Sequence, residues 1–395
     1  MPSGPTEGSA VSEFNSMERD GPLDFVYAAP AVRVVLGPDR TGAMAEELDL
    51  LGVKHALFVC TPGGSQRYAS IVAALGSRCA ASFAEAEPHC PEPIATAALE
   101  TYDQAHADGV VTVGGGSTIG LGKFIAARRK TPFLAVPTTL SGSEMTALYG
   151  VKIGREKRTW IDIAARPRTV IYDPVLTETL PKYETATTGM NCLAHCVEAL
   201  YPAQPNPIAR MLALEGIRNL AAALPAVLER NDVPSRSQAL YAGCLGGMLV
   251  SMVGIGLHHK ICHILGGHFG IPHGESNSVV LPHVVAFNTP HMPDVAADIA
   301  QALQSANAAP GICDLAARIG VPSSLRSLGL PRGDLAAIAA EVVAKPPSNP
   351  RSITQENIHR LLNHAWEGQL PASGAEPPAQ KRFAQGGYHV GNSII

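Results

Sequence analysis

The sequence predicts an α/β domain built on a parallel sheet, followed by an all-α domain. Three observations carry that expectation. Short β-branched runs alternate with helical stretches from about residue 32 to residue 172, the pattern of βαβ units. One apolar run, GVVTV (109–113), opens directly into Gly114-Gly115-Gly116-Ser117 and a helical stretch. From Tyr183 onward the alternation stops and the chain reads as helix almost throughout. A boundary near Pro181 follows. It gives a polar lead over 1–22, an α/β domain over 23–181, a helical domain over 182–370 and a loose tail over 371–395.

Taken in order, the lead is rich in Gly, Ser, Pro and Glu, and order begins at Phe25-Val26-Tyr27. Val32 to Gly37 is β-branched and stopped by Gly37-Pro38, so it reads as a strand. Helix is expected over about 41–52, then a buried strand HALFVC (55–60) stopped by Thr61-Pro62-Gly63-Gly64. Helices over about 66–77 and 93–107 precede the strand at 109–113, and a third over about 118–128 follows it. PFLAVPTT (132–139) is the next strand, and VIYDPVLTETLP (170–181) holds the last one with a proline-marked exit. In the second half the clearest helices are 184–201, 207–228, 235–252, 254–268, 293–305 and 309–319.

Composition narrows the function. The chain has 395 residues, 46% hydrophobic and 16% charged, which is ample apolar material for two cores. Net charge is −4, so no basic surface for nucleic acid is expected. No uninterrupted apolar run reaches the roughly 18 residues of a membrane span, and the N-terminus lacks the basic and apolar parts of a signal peptide. The eight cysteines are scattered through apolar stretches and read as reduced thiols of a cytoplasmic protein. The 38 glycines and 14 histidines invite a search for clusters.

The glycines cluster first. A strand that runs into three glycines and then a helix places unpaired N–H groups and a positive dipole end at one point. Glycine lets a phosphate approach that backbone closely, so GVVTVGGGST reads as a pyrophosphate cradle. The spacing Gly114, Gly116, Gly120 is neither G-x-G-x-x-G nor a P-loop. Taken alone, such a turn is as well explained by backbone geometry. A second loop, Thr138-Thr139-Leu140-Ser141-Gly142-Ser143, follows the next strand and would line the same crevice. Gly114, Gly115, Gly116, Ser117, Thr138, Thr139 and Ser143 are the candidate cofactor contacts, with Thr61 at the end of the earlier strand. No acid stands at Thr61-Pro62 to repel a 2′-phosphate, so either NADH or NADPH is expected.

The histidines cluster next. His258, His259, His263, His268 and His273 fall within sixteen residues (258–273). His259 and His263 are four apart and share a helix face, while His273, after Gly266-Gly267, is expected to fold back from a loop. Asn191 and His195 form a second i, i+4 pair upstream. A lone histidine of this kind is more often a core or capping residue; so many together suit a metal or a proton-transfer site. His268 is the expected bystander, and His258 could face either way.

In this order, GGGST, PTTLSGSEMT, GMNCLAHCVEALY, HHKICHILGGHFGIPH and LPH resemble the iron-containing alcohol dehydrogenase superfamily. FVYAAPAVRVVLG and NPRSITQENIHRLLNHAWEGQLP are similar to its maleylacetate reductase branch. The resemblance covers roughly residues 23–371. It implies a Rossmann-like dinucleotide-binding domain, an all-α domain as in dehydroquinate synthase-like folds, an active site between them, and a homodimer. It also implies reduction of maleylacetate to 3-oxoadipate in aromatic catabolism. In metal-dependent members the ligands are an Asp and three His; the histidines match His195, His259 and His273, but the acid's position is Asn191. An amide replaces the carboxylate poorly, so no tightly bound metal is expected.

By the same resemblance His263 and His273 are the candidate proton donors, with His259 and His195 completing the catalytic set. An imidazole near its pKa would stabilise an enolate and protonate the adjacent carbon. The dicarboxylate substrate asks for donors or cations, for which Asn191, Lys260 and Arg33 are the candidates. Departures stand at Gly274-Glu275-Ser276-Asn277, at His268 and in TWIDIAARP (159–167), and they bear on the substrate. The alternatives are a family member that reduces another ketone or enone in biosynthesis, or a non-redox lyase or cyclase descendant.

Overall fold

The computed structural model describes residues 25, 27, 31–154 and 156–371. The expected lead, Val26 and all of the tail beyond Pro371 lie outside the described residues. The first half runs β1 (Arg33–Leu36), α1 (Met44–Leu51), β2 (Ala56–Val59), α2 (Gly64–Arg67), α3 (Ala69–Leu75) and β3 (Cys79–Phe83). It continues through α4 (Glu92–Gln104), β4 (Gly109–Gly114), α5 (Gly116–Arg129), β5 (Phe133–Pro137), β6 (Leu148–Ile153), β7 (Glu156–Ile161) and β8 (Thr169–Tyr172). From Lys182 every regular element among the described residues is helical: α6 (Lys182–Glu198), α7 (Pro207–Arg230), α8 (Val233–Val253), α9 (Leu257–Phe269) and α10 (His273–Asn288). The last four are α11 (Pro293–Ala302), α12 (Ala308–Arg318), α13 (Leu335–Ala344) and α14 (Gln355–Glu367).

Six strands form one sheet in the order β1-β8-β5-β4-β2-β3, and every pairing is parallel. Alternate residues bury opposite faces: Phe58, Val111, Leu134 and Ile171 pack with α1 and α3, whereas Leu57, Val110, Phe133 and Tyr172 face the core shared with α5 and the helical half. Such two-sided burial explains the continuous apolar strands in the sequence. The chain moves outward from β2 to β3, then returns to place β4 on the other side of β2. Ligands of open α/β sheets bind outside the carboxyl ends of the strands that flank such a reversal. Here those ends are Cys60-Thr61-Pro62 and the Gly114–Ser117 turn.

The helical half has two layers. α6, α7 and α8 pack on one another and on the sheet domain, while α9, α10, α13 and α14 enclose a separate core around Leu257, Ile261, Val280, Ile338 and Leu362. By length and hydropathy alone α7 could cross a bilayer. It lies instead between α6 and α8, with Ile217, Leu220 and Leu224 buried.

Several elements differ from the sequence expectation. β3 was not expected, because CAASF is short and of small residues at the sheet edge. The β6–β7 hairpin was not expected either: EKRTWI is half charged and mostly exposed, and is anchored through Trp160 stacked on Tyr149 at 5.6 Å. The largest correction concerns His273. Gly266 and Gly267 lie inside α9, and the true break is at Gly270 (φ 65°) and Pro272. His273 is therefore the first residue of α10 and not a loop residue. Glycine costs a helix interior only about 1 kcal/mol, which the packing of Ile261, Ile264 and Leu265 outweighs.

Candidate active site

The candidate site has a backbone-built wall and a side-chain-built wall. The first is the turn from β4 into α5. Gly114 has φ 151°, and a Cβ there would meet the Thr118 Oγ1 at 2.5 Å; a Cβ on Gly115 would meet the Thr139 methyl at 2.8 Å. Nothing lies within 4 Å of a Cβ placed on Gly116, so the first turn of α5 opens on free space. Its leading N–H groups have no intrahelical acceptor. The second loop is tied alongside, because the Thr138 N–H donates to the Gly114 carbonyl at 3.1 Å. Thr118 Oγ1 and Thr139 Oγ1 are buried without a partner in the protein. Thr61 caps β2 at the neighbouring strand end, its carbonyl accepting from the Gly64 N–H.

Lys123 holds this wall in place. It is fully buried in α5, and its Nζ donates to Ser143 Oγ (3.2 Å), Thr146 Oγ1 (2.8 Å) and the Leu148 carbonyl (2.8 Å). Burial pulls its ammonium down to about 7, opposed by the charge of buried Glu144. Burial likewise pushes the Glu144 carboxyl up to about 7, and Tyr172 donates to it at 2.7 Å. Three acceptors around one Nζ favour the charged lysine. The same loop reaches the helical half. Gly142 (φ 72°) lies so close to α8 that a Cβ there would stand 2.8 Å from Gly247 Cα.

The facing wall is made by α6, α9 and α10. Asn191, His195 and Glu198 fall on one face of α6, spaced four and three residues apart. α9 contributes His259 and His263, and the start of α10 contributes His273. The His259 ring stacks on His195 with centroids 4.7 Å apart, and lies 6.3 Å from His263 and 6.1 Å from His273. His263 and His273 are 5.6 Å apart. Asn191 Nδ2 donates to the Ser141 carbonyl at 3.4 Å, which joins this wall to the second loop. Asn191 Oδ1, His195 Nδ1 and His259 Nε2 are buried without a partner in the protein. Unpaired polar atoms on facing helices are what a bound ligand would satisfy.

His259 is buried, whereas the rings of His263 and His273 open to solvent at the mouth of the cluster, and desolvation by their neighbours lowers all of them. It pulls His273 down to about 4 and His195 and His259 well below the ordinary imidazole value. His263 is lowered by desolvation and then by Lys157. The rings are therefore neutral near pH 7.

The signature of the iron-containing alcohol dehydrogenases matches residues 30–174, and that of the C-terminal part of the same family matches residues 185–366. The chain belongs to the iron-containing alcohol dehydrogenase family. It is 42% identical over 349 residues to the maleylacetate reductase of Burkholderia cepacia, covering 88% of this chain and 99% of that one. The structure of a maleylacetate reductase from Agrobacterium tumefaciens superposes with a TM-score of 0.86 at 40% identity, covering 88% of this chain and all of that one. An iron-containing alcohol dehydrogenase from Corynebacterium glutamicum gives 0.85 at 34% identity, over 89% and 99%. As a member of this family the chain is an oxidoreductase, and its fold is the family's parallel-sheet domain joined to a helical domain.

Against the family's name, the donor set fits iron poorly. Asn191, His195, His259 and His273 offer an amide and three imidazoles, with no negative charge for a hard cation. Among the described residues, Glu198, His258 and His259 do bring ligand atoms within 4.8 Å of one another. Their atoms are already engaged. Glu198 accepts from two backbone N–H groups and lies 2.6 Å from His259 Nδ1, and His258 Nε2 lies 3.2 Å from the Asn277 carbonyl.

Other sequence-predicted residues fall as follows. Arg33 needs correcting: it opens β1, at the end of the sheet opposite the crevice, and its Nε donates to Glu47 at 2.8 Å. Lys260 is half-buried on α9, with its charge bearing on His263. Ser143 turns its hydroxyl toward Lys123. Ser117 lies in the first turn of α5. His258 faces inward, and His268 is an exposed bystander paired with Glu341 at 3.1 Å. All eight cysteines are free, six of them buried. Sequence reasoning missed Lys123, Glu198 and Lys157. The last lies over side-chain-free Gly150 in the hairpin and is near enough to depress both His263 and His273.

Proposed function

We propose that this chain is an NAD(P)H-dependent maleylacetate reductase that forms 3-oxoadipate in aromatic-compound catabolism without a resident metal. The observation that carries the reading is Asn191, a neutral amide on the helix face of His195, tied to the Ser141 carbonyl of the second loop. A bound nicotinamide supplies the hydride, which enters the alkene carbon β to the ketone. The glycine turn and Thr138–Thr139 hold the cofactor's phosphates, with Thr61 beside them. A neutral N–H of His263 or His273 donates to the ketone oxygen, where negative charge develops as the enolate forms. The other ring of the pair, protonated from solvent once the dicarboxylate is bound, delivers its proton to the carbon α to the ketone and returns to neutral imidazole. Hydride and proton together account for the saturated product. The substrate's two carboxylates, beside Lys260 and Asn191, raise the histidines' proton affinity again on binding. A homodimer, tested by light scattering, is the proposed assembly. The test of function is incubation of the purified protein with NADH or NADPH and maleylacetate. Cofactor oxidation with 3-oxoadipate as product is expected; no turnover of clean substrate would refute the reading, and turnover only of other enones would move it to a relative's chemistry.

A further inference from the structure

One buried carboxylate in the pocket has no part in the scheme above. Glu198 ends α6 and is 5% exposed. Its Oε1 accepts the His258 backbone N–H at 2.7 Å and its Oε2 that of Gly256 at 2.9 Å. These donors lie at the start of α9, where the helix dipole favours an anion. Gly256 is required there, since a Cβ would stand 2.8 Å from Glu198 Oε1. Oε2 also lies 2.6 Å from His259 Nδ1. An ionised carboxylate only accepts, so the proton of that contact sits on Nδ1.

The neighbouring ring agrees. His258 Nε2 is 3.2 Å from the Asn277 carbonyl, an obligate acceptor, so His258 carries its proton on Nε2. Its Nδ1 is then a lone pair, 3.3 Å from His259 Nδ1, and it too can only accept. With its Nδ1 proton committed on both sides, neutral His259 is left with a bare Nε2. That atom is buried without a partner, beside the rings of His195, His263 and His273.

We infer that Glu198 is a positioning residue for the reduction, which locks His259 in the Nδ1–H tautomer and turns its Nε2 lone pair into the four-histidine pocket. There the lone pair has no partner within the protein, so it is held ready to accept from a donor that enters the pocket, in a direction that Glu198 fixes. A carboxylate that sets an imidazole's tautomer in this way acts without touching the substrate. The inference rests on the reading that hydride reduction of an enone happens in this pocket, but not on which enone is reduced.

The test is nitrogen-15 imidazole NMR on the full chain, with kinetics of the wild type and Glu198→Gln. The wild type should show His259 protonated on Nδ1, with a downfield proton that exchanges slowly. Glutamine offers one acceptor oxygen to three N–H groups, so E198Q should lose that signal and shift His259 toward the Nε2–H form. Its kcat should fall about 10–100-fold with NADH affinity unchanged. A wild-type His259 protonated on Nε2 would overturn the inference, as would a folded E198Q with unchanged tautomer and kcat. If E198Q does not fold, the wild-type tautomer alone decides. A wild type inert toward maleylacetate would defeat the substrate reading while the NMR signature still judges Glu198.

Discussion

The candidate site joins two regions built by different means. On the sheet side, Gly114 to Ser117 and Thr138–Thr139 form a surface mostly of backbone, stiffened from behind by Lys123. On the helical side, histidines from α6, α9 and α10 converge, and one of them, His259, is held from behind by the Glu198 carboxylate. A backbone surface depends on what is missing, namely side chains, and tolerates no additions. A side-chain pocket depends on what is present and on its protonation state. Binding and chemistry are thereby separable by mutation.

The largest expected effect lies in the helical wall. His263→Ala and His273→Ala should each lower kcat by about 10²–10⁴-fold, the usual share of a general acid, while NADH affinity measured by fluorescence stays near that of the wild type. If both variants remain fully active, the pocket is not the reaction centre and the comparison collapses. Lys123→Met strikes the support of the other wall. It leaves Glu144 buried beside three unsatisfied acceptors, and should cost about 3 kcal/mol or more in a denaturant melt. A melt within about 0.5 kcal/mol of wild type would mean the loop is held by something else.

A smaller effect belongs to the cradle surface itself. Gly115→Val adds carbon where Thr139 already stands 2.8 Å from a Cβ, so NADH binding should weaken by about tenfold, or 1.4 kcal/mol. The fold of the helical half should be unchanged by circular dichroism. Unaltered NADH affinity would place the pyrophosphate away from this turn.

The same contrast explains what the sequence disclosed. The cradle is contiguous, so GVVTVGGGST could be read directly, and the helical spacing of His259 and His263 was as plain. Glu198 was readable only as a third residue on the face of Asn191 and His195, because nothing local says that α9 begins against it. Lys157 was hidden because its hairpin carries a charged, exposed strand whose anchor is one aromatic pair. Arg33 was misplaced because a strand's sequence does not say which end of the sheet faces the ligand. His273 was set on a loop because two glycines were read as a break that α9 in fact absorbs.

The proposed function has this pocket move protons with imidazoles and need no metal, because Asn191 offers an amide rather than a charged ligand. The most direct measurement is the rate of NADH oxidation with maleylacetate before and after exhaustive chelation, with the metal content of the same sample. The account predicts an unchanged rate and metal well below one equivalent per chain. A rate abolished by chelation and restored by ferrous iron or zinc would contradict it.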